Sequence, residues 1–293
     1  MKILLTGSNG FLGKEIYKNL ISTNTILTLN RMNSDYNYDL SKNSIVFNDF
    51  FDIVIHAAGL AHIKANYKNK HLYNEINVNG TSNLLYALSK NKLPKYFVYI
   101  SSVSVYGLNE GIGINENEPL LAKDPYGLSK ILAEDLVINW CNTNNIIYTI
   151  LRLPIIVGVN PPGNLGSMID AIKKGFYFNI GGGDYNKSMV LNTDVAIIIL
   201  KAAKVGGIYN LTDGVHPTLY NLSDAISKKH YKNKIYNLPK YLIKFIAKFG
   251  DITGNIFPIN TSKYKKLTTS LTFDDTKAKK AFGWQPTAVL ETF

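Results

Sequence analysis

The first twenty residues constrain this chain more than any other stretch. Lys2-Ile-Leu-Leu-Thr6 is an apolar run of strand character, Gly7-Ser-Asn-Gly10-Phe-Leu-Gly13 follows at once, and Lys14 to Leu20 reads as a helix. Strand, glycine turn and helix in that order make a phosphate-binding unit, because a helix N-terminus offers unpaired N–H groups and partial positive charge to a pyrophosphate. Gly7 permits the tight turn, Gly10 lets the backbone approach phosphates, and Gly13 lets the helix close on the strand. With Asn9, Phe11 and Leu12 they form a candidate dinucleotide cradle. A merely flexible loop is the competing reading, and it leaves the order of elements unexplained.

A second device lies further along. Tyr126 and Lys130 sit four residues apart in Asp-Pro-Tyr-Gly-Leu-Ser-Lys, with Ser102 upstream in Ser-Ser-Val-Ser-Val-Tyr-Gly. Positions i and i+4 share a helix face, so the Lys130 ammonium is expected near the Tyr126 phenol, lowering a pKa that starts near ~10. A hydroxyl such as Ser102 then holds a substrate oxygen while the tyrosine moves a proton, an arrangement that interconverts alcohol and ketone. The spacing alone is weak in a chain with 19 tyrosines and 32 basic residues, so its weight comes from the cradle upstream. Asp124 as N-cap and Pro125 at the first helical position place both residues in the first turns of a helix from Pro125 to Trp140.

Strand-like runs at Thr25 to Leu29, Asp52 to His56, Tyr96 to Ser101 and Ile146 to Leu151 alternate with helical stretches, including His71 to Lys90. That pattern predicts an α/β fold: a doubly wound parallel sheet covered on both faces. Beyond Pro154 the texture turns to Gly, Pro and Asn, while Val190 to Asp213 reads as a return to the sheet. The expected Rossmann domain is therefore 1–157 plus about 190–213, with a smaller discontinuous lobe at about 158–188 plus 214–293.

Several function classes are disfavoured. No apolar run approaches the ~20 residues of a membrane span. The N-terminal run is too short for a signal peptide. The single Cys141 forms no intrachain disulfide, and cysteine–histidine metal spacing is absent, so a cytoplasmic protein without a metal is expected. The formal charge of +11 raises nucleic-acid binding, but the lysines are scattered and accompany no nucleic-acid motif, so a solvated surface that steers anionic substrates is favoured. In Lys240-Tyr-Leu-Ile-Lys-Phe-Ile-Ala-Lys-Phe249, lysines share a helical stripe beside aromatics. That helix either packs on its own protein, the favoured reading, or lies on a membrane surface.

These residues resemble the extended short-chain dehydrogenase/reductase family, in its nucleotide-sugar epimerase/dehydratase branch. The resemblance rests on the Gly7, Gly10 and Gly13 spacing, His56-Ala-Ala58, Asn77-Val-Asn-Gly-Thr81, Ser102-Val-Ser-Val-Tyr-Gly107, Tyr126-x-x-x-Lys130 and Phe282-Gly-Trp-Gln-Pro286. It covers essentially the whole chain. It implies a Rossmann domain holding NAD or NADP, a lobe that grips a UDP-sugar, a catalytic set of Ser102, Tyr126 and Lys130, and a homodimer built on the Pro125 helix. Asp39 and Leu40 resemble the adenine-binding pair, and Ala57, Ala58 and Gly59 would lie beside the cofactor.

The cofactor itself is read from the end of the second strand. Many NAD enzymes carry an acid there, whereas this chain has Asn30 followed by Arg31, which suits a 2′-phosphate. NADP(H) is therefore expected over NAD(H), unless Arg31 faces only solvent. Val103-Ser104 replaces the Asp-Glu pair of 4,6-dehydratases, which argues against dehydration. Ile155 stands where relatives place a substrate-binding asparagine, and Asn164 and Lys187 are the remaining candidates for the nucleotide diphosphate. The expected reaction is C4 ketoreduction of a UDP-4-keto-6-deoxy-N-acetylhexosamine for surface polysaccharide, with 4-epimerisation as the alternative. A non-catalytic NADP-binding sensor or scaffold is the rival from another class.

Overall fold

Ile3, Leu4 and Leu5 have no solvent exposure, and their burial places the first strand in the middle of a parallel sheet. Burying each such side chain contributes roughly 1.5–3 kcal/mol. The computed structural model describes residues 1–42, 45–61, 70–231, 234–253 and 260–293.

The main half contains β1 (Lys2–Thr6), α1 (Phe11–Leu20), β2 (Thr25–Asn30), β3 (Tyr36–Asn37), β4 (Ile53–His56), α2 (Lys70–Tyr73), α3 (Gly80–Ser89) and β5 (Tyr96–Ser102). It continues through β6 (Gly111–Ile114), α4 (Pro125–Thr143) and β7 (Ile147–Leu153). Next come β8 (Ile155–Val157), α5 (Gly163–Lys173), β9 (Phe178–Ile180), β10 (Met189–Leu191), α6 (Asn192–Val205) and β11 (Gly207–Asn210). The last elements are α7 (Leu219–Ile226), β12 (Tyr236–Leu238), α8 (Lys240–Thr253), α9 (Thr261–Leu267), β13 (Leu271–Phe273) and α10 (Thr276–Phe282).

The principal sheet runs β11-β7-β5-β4-β1-β2-β3, with every pairing parallel. The chain winds outward from β1 in one direction through β2 and β3, then crosses back to β4 and winds the other way. The crevice above the β1–β4 boundary is thus a topological switch point, where open α/β sheets bind their ligands. Alternate side chains serve opposite faces. Ile3 and Leu5 pack with Leu12, Ile16, Val195 and Ile199, whereas Leu4 packs with Leu84, Leu88, Val137 and Cys141. This is the doubly wound Rossmann fold expected from the alternating pattern.

A smaller lobe of helices and two-stranded parallel pairings, β8 with β10 and β9 with β12, has its own cluster around Val157, Leu165, Ile172, Leu191, Leu222 and Ile226. The C-terminal Phe-Gly-Trp motif turns back to the main half. Phe282 lies edge-on to Tyr209 with centroids 4.8 Å apart, and Trp284 Nε1 donates to the Thr212 carbonyl at 2.9 Å.

Two boundaries differ from expectation for local reasons. The first helix begins at Phe11, because Gly10 is extended (φ −77°, ψ 169°) and acts as its N-cap. The stretch expected as one helix from His71 to Lys90 contains a wide π-type turn at Asn74–Asn79. That turn brings the Asn77 side chain to Leu60 and Ser129, the kind of detour found at functional sites.

Candidate active site

The glycine turn sits at the switch point, and its glycines are sterically required there. Gly7 has φ +74°, and a Cβ on it would lie 2.6 Å from the Ala58 nitrogen just beyond β4. A Cβ on Gly13 would lie 2.0 Å from the Gly7 carbonyl oxygen. No side chain caps α1 and no acid occupies its first turn, so the N–H groups of Phe11, Leu12 and Gly13 are left to an anion. The residues therefore fit a dinucleotide pyrophosphate. Gly13→Ala is expected to weaken cofactor retention and to destabilise the fold by about 1–3 kcal/mol through overpacking. Quantifying dinucleotide released on denaturation, alongside thermal melting, checks this; wild-type values in both would refute the assignment.

Asn30 is part of the turn. Its Nδ2 donates to Ser8 Oγ at 2.7 Å, its Oδ1 accepts from the Asn9 N–H at 3.4 Å, and Asn9 Nδ2 donates to the Met32 carbonyl. Arg31 is exposed, and its charge acts on Asp39. Hydrogen bonding by Ser41 first, then the Arg31 charge, hold the Asp39 carboxyl below its ordinary range. A carboxylate within the reach of the Arg31 charge opposes the 2′-phosphate of NADP. Leu40 is buried against Gly80, where a Cβ would meet its side chain at 3.3 Å.

Asp124 caps α4, its Oδ1 accepting from the N–H groups of Tyr126 (3.2 Å) and Gly127 (3.1 Å). The cap fixes Tyr126 in the first turn and Lys130 one turn later. Ser102 ends β5, where its hydroxyl acts on the Tyr126 phenol and draws its pKa down. Ser102 Oγ also accepts from the Ser104 N–H at 3.2 Å. Lys130 is buried, and its Nζ donates to the Ile100 carbonyl at 2.9 Å and the Tyr99 hydroxyl at 3.2 Å. Gly59 leaves room above it: a Cβ there would lie 3.2 Å from Asn77 Oδ1 and 3.4 Å from Lys130 Nζ. Ser102 and Tyr126 thus act on one another, while the Lys130 ammonium is turned to β5.

The electrostatics differ from expectation. Burial pushes Tyr126 up to about 12, opposed by the Ser102 hydrogen bond and reinforced by Tyr73 and Asp124. Lys130 does not lower it, because its ammonium is engaged by Ile100 and Tyr99 on the sheet side. Burial brings Lys130 itself down to about 8, with Glu134 opposing. His56 is held neutral, down to about 3, by burial and then by the Lys130 charge, and its ring bridges Thr6 and Thr81.

A stability prediction follows from the lysine. Below about pH 8 both the folded and the unfolded protein carry the Lys130 proton, and the folded state bears the cost of burying that charge. As pH rises from about 8 towards 10.5, the folded state loses the proton first and that cost disappears. Lys130→Met is thus expected to raise the denaturation midpoint of cofactor-free protein at neutral pH, with the advantage fading as pH rises through that window. A midpoint lowered equally at both ends of the window would contradict this.

Sequence reasoning did not single out the groups beneath the triad. Glu134, one turn beyond Lys130, is 1% exposed and forms a two-pronged pair with Arg152, itself 3% exposed, at 2.7 and 3.2 Å. Ser101 Oγ donates to the same carboxylate. Tyr73 places its ring 5.8 Å from that of Tyr126. The i+4 relation of Lys130 and Glu134 was a usable signal for the pair; nothing local announces Tyr73.

A cleft of about 860 Å³ is bordered by Val103, Ser104 and Asp124, which neighbour Ser102 and Tyr126 along the chain. Asn164 and Lys187 both line it, as does Ile155. Asn164 lies in the first turn of α5 rather than in a loop. Lys187 Nζ donates to the Thr269 carbonyl at 2.7 Å, and burial, then Lys266, bring it down to about 8.

A glycine turn at a sheet's switch point, next to a tyrosine that can move a proton, defines a dinucleotide-dependent oxidoreductase of the extended short-chain dehydrogenase/reductase class. The chain belongs to the NAD dependent epimerase/dehydratase family, whose model matches residues 3–212. It is accordingly an NAD(P)-dependent enzyme of the nucleotide-sugar epimerase and oxidoreductase type, with a Ser/Tyr/Lys triad. An N-acetyl-α-D-glucosaminyl-diphospho-ditrans,octacis-undecaprenol 4-epimerase of Escherichia coli O157:H7 is 28% identical over 297 residues, spanning 94% of this chain and 88% of that protein. The UDP-glucose 4-epimerase of Thermotoga maritima, solved with UDP-glucose, aligns over 99% of this chain and 96% of its own at 21% identity and TM-score 0.79. MoeE5, solved with UDP-glucose and NAD, aligns over 99% of this chain and 95% of its own at 20% identity and TM-score 0.76.

The NADP(H) expectation is corrected: the matching family is described as NAD dependent, and MoeE5 was solved with NAD. The physical reason is visible at Arg31, which has Asp39 as its electrostatic partner, and at Asn30, which braces the turn. Among the described residues no cluster of metal-ligating side chains occurs, and no helix is long and apolar enough to cross a membrane.

Proposed function

We propose that this chain is an NAD-dependent 4-epimerase of a UDP-sugar. The reading is supported chiefly by Tyr126, which follows the cleft-lining Asp124 in the first turn of α4 and whose phenol is acted on by Ser102. Ketoreduction was favoured only through the NADP expectation, which no longer stands. A recycled NAD suits epimerisation, and the curated relatives are mostly named as 4-epimerases.

Bound NAD supplies the hydride acceptor and, once reduced, the donor. The glycine turn would hold its pyrophosphate, while Lys130 and Asn77 would hold the ribose side. Tyr126 takes the proton from the C4 hydroxyl and returns it after the sugar has presented its other face. Ser102 holds the C4 oxygen through both steps. Asn164 and Lys187 are assigned to the substrate's diphosphate arm. Asp124, the carboxylate on the cleft wall, is engaged in capping α4, and Val103 and Ser104 follow Ser102, so the acid–base pair that dehydration needs is not supplied. The expected homodimer through α4 belongs to this reading and is supported by half-exposed Leu132 on α4 and exposed Tyr86 on neighbouring α3.

One observation favours a second carrier for the sugar. The cleft wall is largely aliphatic, with Leu121, Leu165, Leu219, Leu267 and Leu271, while Lys123, Lys187 and Lys266 supply charge for a diphosphate. Such a wall also suits a polyprenyl diphosphate, the carrier in the name of the E. coli relative. The test is to offer purified protein UDP-glucose, UDP-N-acetylglucosamine and a polyprenyl-diphosphate sugar, and to follow C4 epimers by NMR together with NADH absorbance. Interconversion without net NADH change is expected for at least one donor. Stoichiometric consumption of reduced dinucleotide would overturn the epimerase reading.

A further inference from the structure

Helix α8 divides its surface into three sectors. Ile243 and Ala247 are 2% and 1% exposed and anchor it to the lobe. Lys240, Lys244 and Lys248 form a second stripe, all exposed. Tyr241, Leu242, Phe245 and Phe249 form the third, at 77, 42, 60 and 48% exposure, with the rings of Phe245 and Phe249 4.9 Å apart. Exposed aromatics flanked by lysines along one helix are what an interfacial membrane helix presents: rings enter the boundary between headgroups and acyl chains, and ammonium groups stay at the phosphates. The reading that packing on its own protein exhausts this helix is not met, since only one of its three sectors is buried.

Neighbouring charge is mostly of the same sign; exposed Asp251, near the end of α8, is an exception and accepts from the Thr261 N–H. Helix α9 packs on α8 and carries exposed Lys265 and Lys266, and the chain as a whole has formal charge +11. Lys240 is partly committed, its Nζ lying 4.9 Å over the Tyr185 ring, so Lys244 and Lys248 are the principal cations of the face. The cleft is linked to α8 through α9, which packs on α8 and contributes Lys266 and Leu267 to the cleft wall.

We propose that α8 docks this protein onto an anionic phospholipid bilayer, its axis along the surface and Tyr241, Leu242 and Phe245 inserted, so that the substrate cleft opens beside the membrane. The proposal does not depend on which carrier holds the sugar, nor on the epimerase reading. Charge complementarity selects the occupant: a second copy of this chain would set Lys244 and Lys248 against equally basic surface.

The test is co-sedimentation of the full chain with vesicles of phosphatidylcholine, with and without phosphatidylglycerol, at varied salt. Binding is expected only with phosphatidylglycerol, and to fall as salt rises. Each lysine near an anionic surface strengthens binding by a factor of roughly five, so Lys244→Gln/Lys248→Gln is expected to weaken it about thirty-fold. Tyr241→Ser/Phe245→Ser should weaken binding to phosphatidylglycerol vesicles at every salt concentration, because ring insertion adds to the charge attraction. Both double variants should keep wild-type circular dichroism and wild-type turnover of a water-soluble sugar donor, which separates failed docking from failed folding or failed catalysis. Absence of binding to phosphatidylglycerol vesicles, equal binding to both vesicle types, or variants that alter only the oligomeric state would each overturn the proposal.

Discussion

Tyr126→Phe is expected to lower kcat by about 10²–10⁴ while leaving cofactor content near wild type, the range that general acid–base catalysis contributes. The substitution removes one oxygen and keeps the ring that packs 5.8 Å from Tyr73, so cofactor cradle and cleft should persist. The loss should be larger in kcat than in KM, because the phenol oxygen moves a proton in the reaction and contributes less to holding the ground state. With its pKa pushed up to about 12 by burial, the phenol is protonated at neutral pH in cofactor-free protein. Oxidation of the C4 hydroxyl requires it to accept a proton, so turnover of the wild type should rise with pH on the alkaline side. Tyr126→Phe should be flat there. Near-normal turnover in the variant would remove Tyr126 from the mechanism.

Glu134→Leu is expected to cost about 3–5 kcal/mol of stability, the range for breaking a buried ion pair and leaving its partner charged. Arg152 would keep its charge with the Tyr106 hydroxyl at 3.2 Å and the Tyr106 ring 5.1 Å away, but without a carboxylate. The Ser101 hydroxyl would also lose its acceptor. Replacing both charges together, as Glu134→Leu/Arg152→Met, should recover most of the loss, since a well-packed apolar pair avoids desolvating ions. Chemical denaturation of the two single variants and the double variant measures this directly. A double variant as unstable as the sum of the singles would show that the pair is not the coupled unit inferred here. Because Glu134 also supports the protonated form of Lys130, the single variant should lower the lysine pKa further and reduce activity in whatever protein folds.

The fold was legible wherever local pattern and tertiary context agree. The run Ile3-Leu4-Leu5 is apolar because both sheet faces are covered, and Gly7 and Gly13 are required because a Cβ there would lie 2.6 and 2.0 Å from backbone atoms. Asp124 and Pro125 announced the start of α4, and its side-chain cap places Tyr126 as expected. Other features depend on partners distant in sequence. Nothing between His71 and Lys90 signals the wide turn at Asn77, which is held by Leu60 and Ser129. The direction of the Tyr126 shift was misjudged for the same reason: i+4 spacing sets which face Lys130 occupies, but the β5 groups Tyr99 and Ile100 decide where its ammonium points. Arg31 was read without Asp39, eight residues on, whose carboxylate changes what that arginine offers a phosphate. The cleft was the least legible part, since its walls come from β8, α5, β10, α7, α9, β13 and the loops between them.

The central claim is that one hydride leaves C4 of a sugar and returns to the same carbon on the other face. A UDP-sugar deuterated at C4 tests it most directly, with product analysed by NMR and mass spectrometry and NADH followed by absorbance. The account predicts that the C4 epimer forms with its deuterium retained at C4 and no net change in NADH. Product formed only in step with consumption of reduced dinucleotide, or with the label lost from C4, would contradict it.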